Sequence, residues 1–589
     1  MGNIIPIEVA KTLDGLFSER VRLSAKTRAY RSYNKTTQKW HNYTWEQIEK
    51  EVARWQIALA KEGLVAGDRV AIMLKNCPEW VIFDQAALGL GLVVVPLYTE
   101  DRAENTAYIL IDSGAKLLLL EDQEQWQPLK NLGNHKLNLY KVITISKPEN
   151  YTNNNIIDDN VNALSDWLPK KNGEMKHMNH KPNDLATIMY TSGTSGRPKG
   201  VMLSHHNLLT NANNCLQVVP VWQDDVFLSF LPLSHAFERT VGYYLPLMAG
   251  ATVAYARSIP HLHEDLINIG PSILISVPRI YDRIYSVTHA KLKKKSIISR
   301  LIFKCTVEIG YSRFKLQQKR GPKKVSHLLW PILNTLIAKK VINKLGGRIR
   351  LAMAGGAPLS TEVSRMFIGL GLPVLQGYGM TECSPVASVN SIKNNIPSSV
   401  GHVIPGTKVK IGEKGTLLIH GPNVMLGYWN NPEATKAILT SDGWLDSGDV
   451  AHINNGTITI TGRLKEIIVM STGEKIPPAD MESAILRDPL FDQVILIGEG
   501  RTFLSALVVI NQDYQEKFTP QNKNTEKILL RRIAQQITEF PGYAKIKRVA
   551  LCKEPWTIKN GMLTPTLKLK RTKLLTHYKS TINKLYMGR

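Results

Sequence analysis

Cysteine is scarce. The five cysteines in 589 residues (Cys77, Cys215, Cys305, Cys383 and Cys552) are scattered, with no CxxC pair and no metal-ligand spacing. That argues against a disulfide framework or a zinc site and suits a reducing compartment. Long apolar runs are also missing: the best, Leu88–Leu97, holds ten residues, against the roughly 18 that a membrane span needs. The opening stretch MGNIIPIEVAKTLDGLF has no apolar segment of signal-peptide type, and Pro6 stands where a myristoylation motif requires Ser or Thr. The expectation is a chain that does not span a membrane and works in the cytoplasm. Acidic residues are nearly absent from two regions. Residues 291–350 hold 17 Lys or Arg against the single acid Glu308, and residues 541–589 hold 12 against the single acid Glu554. These stretches carry +16 and +11 of a formal net charge of +25, so the remainder is close to neutral. Two basic regions need explaining, rather than a generally basic protein.

What is present is an ordinary globular composition, 43% hydrophobic and 21% charged, in a chain long enough for several domains. The first 120 residues alternate helix and strand patterns: Trp45–Glu62, "GDRVAIMLKN", Glu79–Leu90, "GLVVVPLY", Ala103–Ser113 and "AKLLLLE". Such alternation predicts an α/β fold whose mainly parallel sheets are covered by helices. Residues 146–183, rich in Asn, Asp, Lys and Pro, read as a surface excursion, after which the alternation resumes. The basic stretch 286–345 reads as helices, 398–462 as a short β subdomain, and the last 125 residues or so as a small α+β region. No internal repeat is seen.

"YTSGTSGRPKGVMLSHHNL", residues 190–208, crowds glycines and hydroxyls ahead of a lysine, as a loop does that holds phosphate. It is not a Walker A loop, because Arg197 and Pro198 separate Gly196 from Lys199, and Gly200 replaces the required hydroxyl. One glycine loop is weak; an ordered set of motifs is not. "LPLSHAF" (231–237), "AGGAPLS" (354–360), "QGYGMTE" (376–382), "DGWLDSGDV" (442–450), "GRLKEII" (462–468) and "LTPTLKLKR" (563–571) follow it.

In order, spacing and wording these motifs resemble the adenylate-forming superfamily over essentially the whole chain, and long-chain fatty acyl-CoA synthetases most. The resemblance implies ATP-dependent activation of a long-chain fatty acid through acyl-AMP, then transfer to CoA. A carrier-protein thiol or another carboxylic acid is the runner-up, and an inactive binding protein on this fold the third reading. Bringing a carboxylate up to a polyphosphate asks mostly for charge neutralisation and positioning. The implied assignments follow. Thr191, Ser192, Gly193, Thr194, Ser195, Gly196 and Lys199 form the mobile loop over the β- and γ-phosphates. Glu382 is the Mg²⁺ ligand, a hard carboxylate for a hard cation, with Thr191 a candidate second. Tyr378, flanked by Gly377, Gly379 and Thr381, offers adenine a flat face beside the turn of Gly355, Gly356, Ala357 and Pro358. Asp449 and Arg463 suit the ribose, though in isolation they read equally as a surface ion pair. His235 lies near the acyl carboxylate or serves only as a half-buried structural histidine. Lys568 is the catalytic lysine, with Lys570 a competitor, because Leu567 stands where a glycine usually precedes that lysine. The resemblance divides the chain at residues 1–464 and 465–589, the latter a mobile lid pivoting at Lys465 and carrying Gly473 to the CoA tunnel.

The basic regions admit nucleic acid, anionic membrane or acidic substrates. No zinc-finger or RNA-recognition motif is found, so no nucleic acid is expected. Ile297, Ile298, Leu301, Ile302, Cys305 and Ile309 share one helical arc with Arg300 and Lys304 opposite, as in a helix lying on an anionic bilayer. Phe303 and Val307 fall off that arc, which equally suits a helix packed into the domain. Acyl chain length and oligomeric state are not legible.

Overall fold

The computed structural model describes residues 4–132, 137–147, 160–171, 173–178, 180–191, 197–518 and 523–587. Two large sheets dominate. The first has eight strands. Five of them, Arg69–Met73, Val93–Pro96, Ala115–Leu120, Lys141–Thr144 and Val161–Ala163, pair in parallel, and Leu185–Thr191 runs parallel beside Val93–Pro96. Lys199–Ser204 and the two-residue strand Gly427–Tyr428 close the edge antiparallel. Strands such as Val93–Pro96 are buried on both faces, which is why they read as unbroken apolar runs rather than alternating ones. The helices between them start where the sequence signals a start. Trp45–Lys61 is capped by Thr44, whose Oγ1 accepts from Gln47 N while Gln47 Oε1 accepts from Thr44 N. Pro78–Gly89 opens on the proline whose missing N–H costs nothing there.

The second sheet has thirteen strands. Its parallel part contains Thr252–Tyr255, Val226–Ser229, Ile273–Ser276, Leu351–Ala354 and Val374–Gly379. From Val386–Val389 onward the pairing turns antiparallel, through His402–Val403, Thr457–Arg463, Leu445–Asn454, Thr416–His420 and Lys408–Ile411. The β-rich stretch around 398–462 thus continues the large sheet by hydrogen bonding.

A buried ion pair ties the helical segment Glu238–Tyr244 to the helix Pro78–Gly89 and to the eight-stranded sheet. Arg239 donates to Asp84 Oδ1 at 2.5 Å, both side chains being fully buried, and to Thr187 Oγ1 of the eight-stranded sheet at 2.7 Å. Tyr244 donates to the other Asp84 oxygen at 2.8 Å. Neither charge is left without partners, the condition under which such a pair survives burial.

Beyond the turn at 464–466 the chain builds its own cores. The strands Phe491–Ile497, Leu504–Ile510 and Ile546–Leu551 form a three-stranded sheet. Val494, Leu496, Ala506 and Val508 face one apolar cluster, with Met481, Leu529 and Ile533 from the helices Pro478–Ile485 and Lys523–Gln536. Ile495, Ile497, Leu507 and Val509 face a second, under Leu574, Ile582 and Leu585 of Arg571–His577 and Lys579–Tyr586. Strand alternation alone sorts them. No described helix is long and apolar enough to cross a membrane.

Candidate active site

The candidate residues gather where the C-terminal ends of the parallel strands meet the small C-terminal unit, as ligand sites do in open α/β sheets. Val374–Gly379 carries Tyr378 to this edge. Its neighbour Gly379 is obligatory, since a Cβ there would lie 1.8 Å from Pro385 O. Tyr378 donates its hydroxyl to Asp449 Oδ2 at 2.6 Å, and Arg463 Nε lies 3.4 Å from Asp449 Oδ1. Asp449 and Arg463 are paired residues on adjacent strands. Their juxtaposition is therefore set by sheet register and does not depend on surface rotamers. Burial and the Asp449 carboxylate push the Tyr378 phenol well up, so it stays a donor. The turn Gly356–Pro358 is exposed at the same rim, bound to Tyr378's strand by Leu359 N donating to Gln376 Oε1 at 3.2 Å. Gly356 has φ +80°, a left-handed conformation that side chains disfavour.

Glu382, on the short turn Thr381–Cys383, is buried. Its Oε1 accepts from the Tyr428 hydroxyl at 2.6 Å, and among the described residues its Oε2 accepts no hydrogen bond. One oxygen is therefore oriented and one is available, which fits a carboxylate that ligates Mg²⁺ shared with phosphate oxygens. Lys199 lies over the Tyr428 ring, its Nζ 5.0 Å from the centroid. Thr191 pairs with Lys199 across the edge of the eight-stranded sheet. Thr191, Lys199, Tyr428 and Glu382 are thus one connected chain. Ser192, Gly193, Thr194, Ser195 and Gly196 lie outside the described residues.

Lys568 reaches this cleft from the C-terminal unit. It remains solvent-accessible, yet the surrounding protein crowds it. Desolvation lowers its pKa, and Arg463 lowers it further, while Asp449, Glu466 and Glu382 pull the other way. Burial, with the charge of Lys568 behind it, brings His235 down to about 4, so the imidazole is neutral at ordinary pH. Lys570 points elsewhere: the charges it meets are Arg102, Asp101 and Lys573. The turn that aims Lys568 is tight. Thr564 N donates to Lys568 O at 2.9 Å, Lys568 N to Thr564 Oγ1 at 3.0 Å, and Leu567 sits between them at φ +60°. A leucine occupies the backbone conformation that glycine adopts freely.

His235 precedes the π-helical segment Glu238–Tyr244, and its Nδ1 accepts from Phe237 N at 3.2 Å. Two candidates do not join the cluster by any contact. Lys465 is exposed in the turn between the two units, and among the described residues it makes no hydrogen bond or ion pair. Gly473, with φ +92° and open space around it, lies in the turn between the short strands Ile468–Val469 and Lys475–Ile476. Tyr428 was not singled out by sequence reasoning. It reaches Glu382 because Gly427–Tyr428 pairs with Val201 and Met202, and a two-residue strand leaves no periodic signal.

Comparison with known proteins gives the family. The family described as AMP-binding enzyme matches residues 17–429, and that described as AMP-binding enzyme C-terminal domain matches residues 465–589. A chloroplastic long-chain-fatty-acid–[acyl-carrier-protein] ligase of Arabidopsis thaliana is 29% identical over 92% of this chain and 82% of its own length. A long-chain-fatty-acid–CoA ligase of Mycobacterium bovis is 29% identical over 93% of this chain and 92% of its own. The crystal structure of the anthranilate CoA ligase AuaEII with anthranoyl-AMP superposes with a TM-score of 0.75 at 18% identity, covering 98% of this chain and 99% of that one. The chain belongs to the AMP-binding enzyme family, the adenylate-forming enzymes that activate carboxylates.

Proposed function

We propose that the protein activates a long-chain fatty acid with ATP and passes the acyl group to CoA. A carboxylate oxygen attacks the α-phosphorus and the bond to pyrophosphate breaks, giving acyl-AMP. The CoA sulfur then attacks the acyl carbonyl, its proton goes to solvent, and AMP leaves. The observation that carries the reading is the meeting of Lys568 with Asp449, Arg463 and Glu382 in one cleft between the two units.

Lys568 faces the reacting phosphate and carboxylate. Asp449 and Arg463 hold the ribose, and Tyr378 with the Gly356–Pro358 turn, Gly377 and Thr381 frames the adenine. The 191–196 loop and Lys199 hold the departing pyrophosphate. Neutral His235 orients the acyl carboxylate without adding a cation that would compete with Lys568. Glu382, assisted by Thr191, would hold Mg²⁺, which neutralises phosphate charge when bound. For the second half-reaction the C-terminal unit turns about Lys465 and brings Gly473 to the thiol's path, a movement that an exposed residue without a hydrogen bond or ion pair among the described residues permits.

The long-chain and CoA assignments rest on the wording of the motifs and on relatives such as the mycobacterial CoA ligase. The chloroplastic relative that loads acyl carrier protein keeps a carrier thiol as the second reading. Pyrophosphate release from ATP and palmitate, measured without thiol, with CoA and with acyl carrier protein, tests the proposal. A single-turnover burst without thiol and sustained turnover with CoA is expected. Turnover with carrier protein alone selects the second reading, and no release under any condition overturns both.

A further inference from the structure

The helix Ile297–Gln317 has two working faces. Phe303, Thr306 and Gly310 are buried, and Gly310 approaches the helix Thr361–Gly369 so closely that a Cβ would lie 1.9 Å from Gly369 O. The opposite arc looks outward: Ile298 is 70% exposed, and Ile297 and Leu301 are exposed with it. A second segment packs against the same helix and carries exposed aliphatic residues of its own. Val325–Ala338 packs along the same helix through His327 Nε2, 2.9 Å from Ser312 Oγ, and through Trp330 stacked on Arg313. It leaves Val325 84% and Leu328 77% exposed, with Ile332 also in solvent. Large aliphatic side chains exposed together on a folded protein mark a contact surface.

Charge decides the kind of partner. Lys293, Lys294 and Lys295 at one end, and Lys323 and Lys324 beside Val325, are exposed, and none forms an ion pair among the described residues. The only acid of residues 291–350, Glu308, is neutralised by Arg365. A second copy of this chain docking face to face would bring two strongly positive surfaces together. Cores of protein–protein interfaces favour aromatic residues and exclude lysine, whereas every exposed large apolar residue between 297 and 336 is aliphatic. Aliphatic side chains fringed by free lysines match the boundary between lipid headgroups and acyl chains.

From this we infer that residues 293–336 form a docking face for an anionic phospholipid surface, with the aliphatic side chains entering the headgroup layer and the lysines pairing with phosphates. The inference is independent of which thiol receives the acyl group. It is tested on the full-length protein by co-sedimentation with vesicles of phosphatidylcholine alone and of phosphatidylcholine with phosphatidylserine, at low and high salt. Binding only to the anionic vesicles, weakening as salt rises, is expected. The variant Lys293→Gln/Lys294→Gln/Lys295→Gln/Lys323→Gln/Lys324→Gln should bind at least about 100-fold more weakly at low salt. Ile298→Asn/Leu328→Asn/Ile332→Asn should lose binding that the lysines alone cannot hold, while both variants keep wild-type turnover on a water-soluble short acyl substrate. No binding to anionic vesicles at low salt overturns the inference. So does binding that neither variant affects, or loss of a concentration-dependent dimer as the variants' only effect, which would make the face a self-association surface.

Discussion

At the scale of the residue, the two lysines of "LTPTLKLKR" show how much two positions matter. Lys568 shares its electrostatic surroundings with Arg463, Asp449 and Glu382, whereas Lys570 faces Arg102 and Asp101. If Lys568 acts only in adenylation, Lys568→Ala should slow acyl-AMP formation by on the order of 10²–10³, as loss of one preorganised charge does. Thioester formation from supplied acyl-AMP and CoA should stay near wild type, and Lys570→Ala should be mild in both steps. Rapid-quench measurement of each half-reaction checks this, and an equal loss in both for Lys568→Ala would remove the lysine from the adenylation step. The site was legible in the sequence as far as its motifs reached. Asp449, Arg463, Tyr378, Glu382 and Lys568 converge, because Asp449 is held beside Arg463 by strand register and the others sit near strand ends or in turns at the same edge. What motifs could not give is the wiring between them. Tyr428 orients Glu382 from 46 positions away, through a contact that no local pattern encodes.

At the scale of the element, the turn Thr564–Lys568 carries strain in a visible place. Leu567 at φ +60° pays the steric penalty that left-handed backbone imposes on a side chain, about 1–2 kcal/mol. A β-branched residue would suffer more, and glycine not at all. The stability of the C-terminal unit should therefore rank Leu567→Gly, wild type, Leu567→Val, with steps of about 1 kcal/mol or less. Urea unfolding followed by hydrogen exchange within residues 491–586 reads the order, and a Leu567→Val variant as stable as Leu567→Gly contradicts it. The sequence showed that a glycine was missing from its customary place, but only coordinates show that the leucine adopted the glycine's conformation. The helix Ile297–Gln317 teaches the complementary lesson. Its sequence suited both a lipid-facing arc and a packed helix; the structure packs it through Phe303, Thr306 and Gly310 and leaves the Ile297, Ile298 and Leu301 arc exposed.

At the scale of the molecule, the small unit is held over the cleft by a clasp remote from the chemistry. Arg487 bridges Glu362 of the large unit at 2.5 Å and Glu539 of its own at 2.6 Å, and Ser286 Oγ donates to Arg487 O at 3.2 Å. Tyr285 steadies Glu362 from below. Both carboxylates are over half exposed, so the clasp is weak, of the order of 1 kcal/mol. Arg487→Ala should accordingly slow acyl-AMP formation about fivefold, with thioester formation unchanged or faster as the orientation shown here loses population. A parallel loss in both half-reactions would mean that Arg487 supports folding and not orientation. The position of Lys568 has one more consequence. The other candidate charges at the cleft, Lys199, Glu382, Asp449 and Arg463, lie before the turn at 464–466, while this one is carried by a body that has its own cores. If that body turns as proposed, a nucleotide resting on Tyr378 and Asp449 while it is turned away would be held but not exposed to reaction. On the proposed function, loading and firing would then be separate events, and water arriving at an idle site would find ATP without the charge that would cleave it.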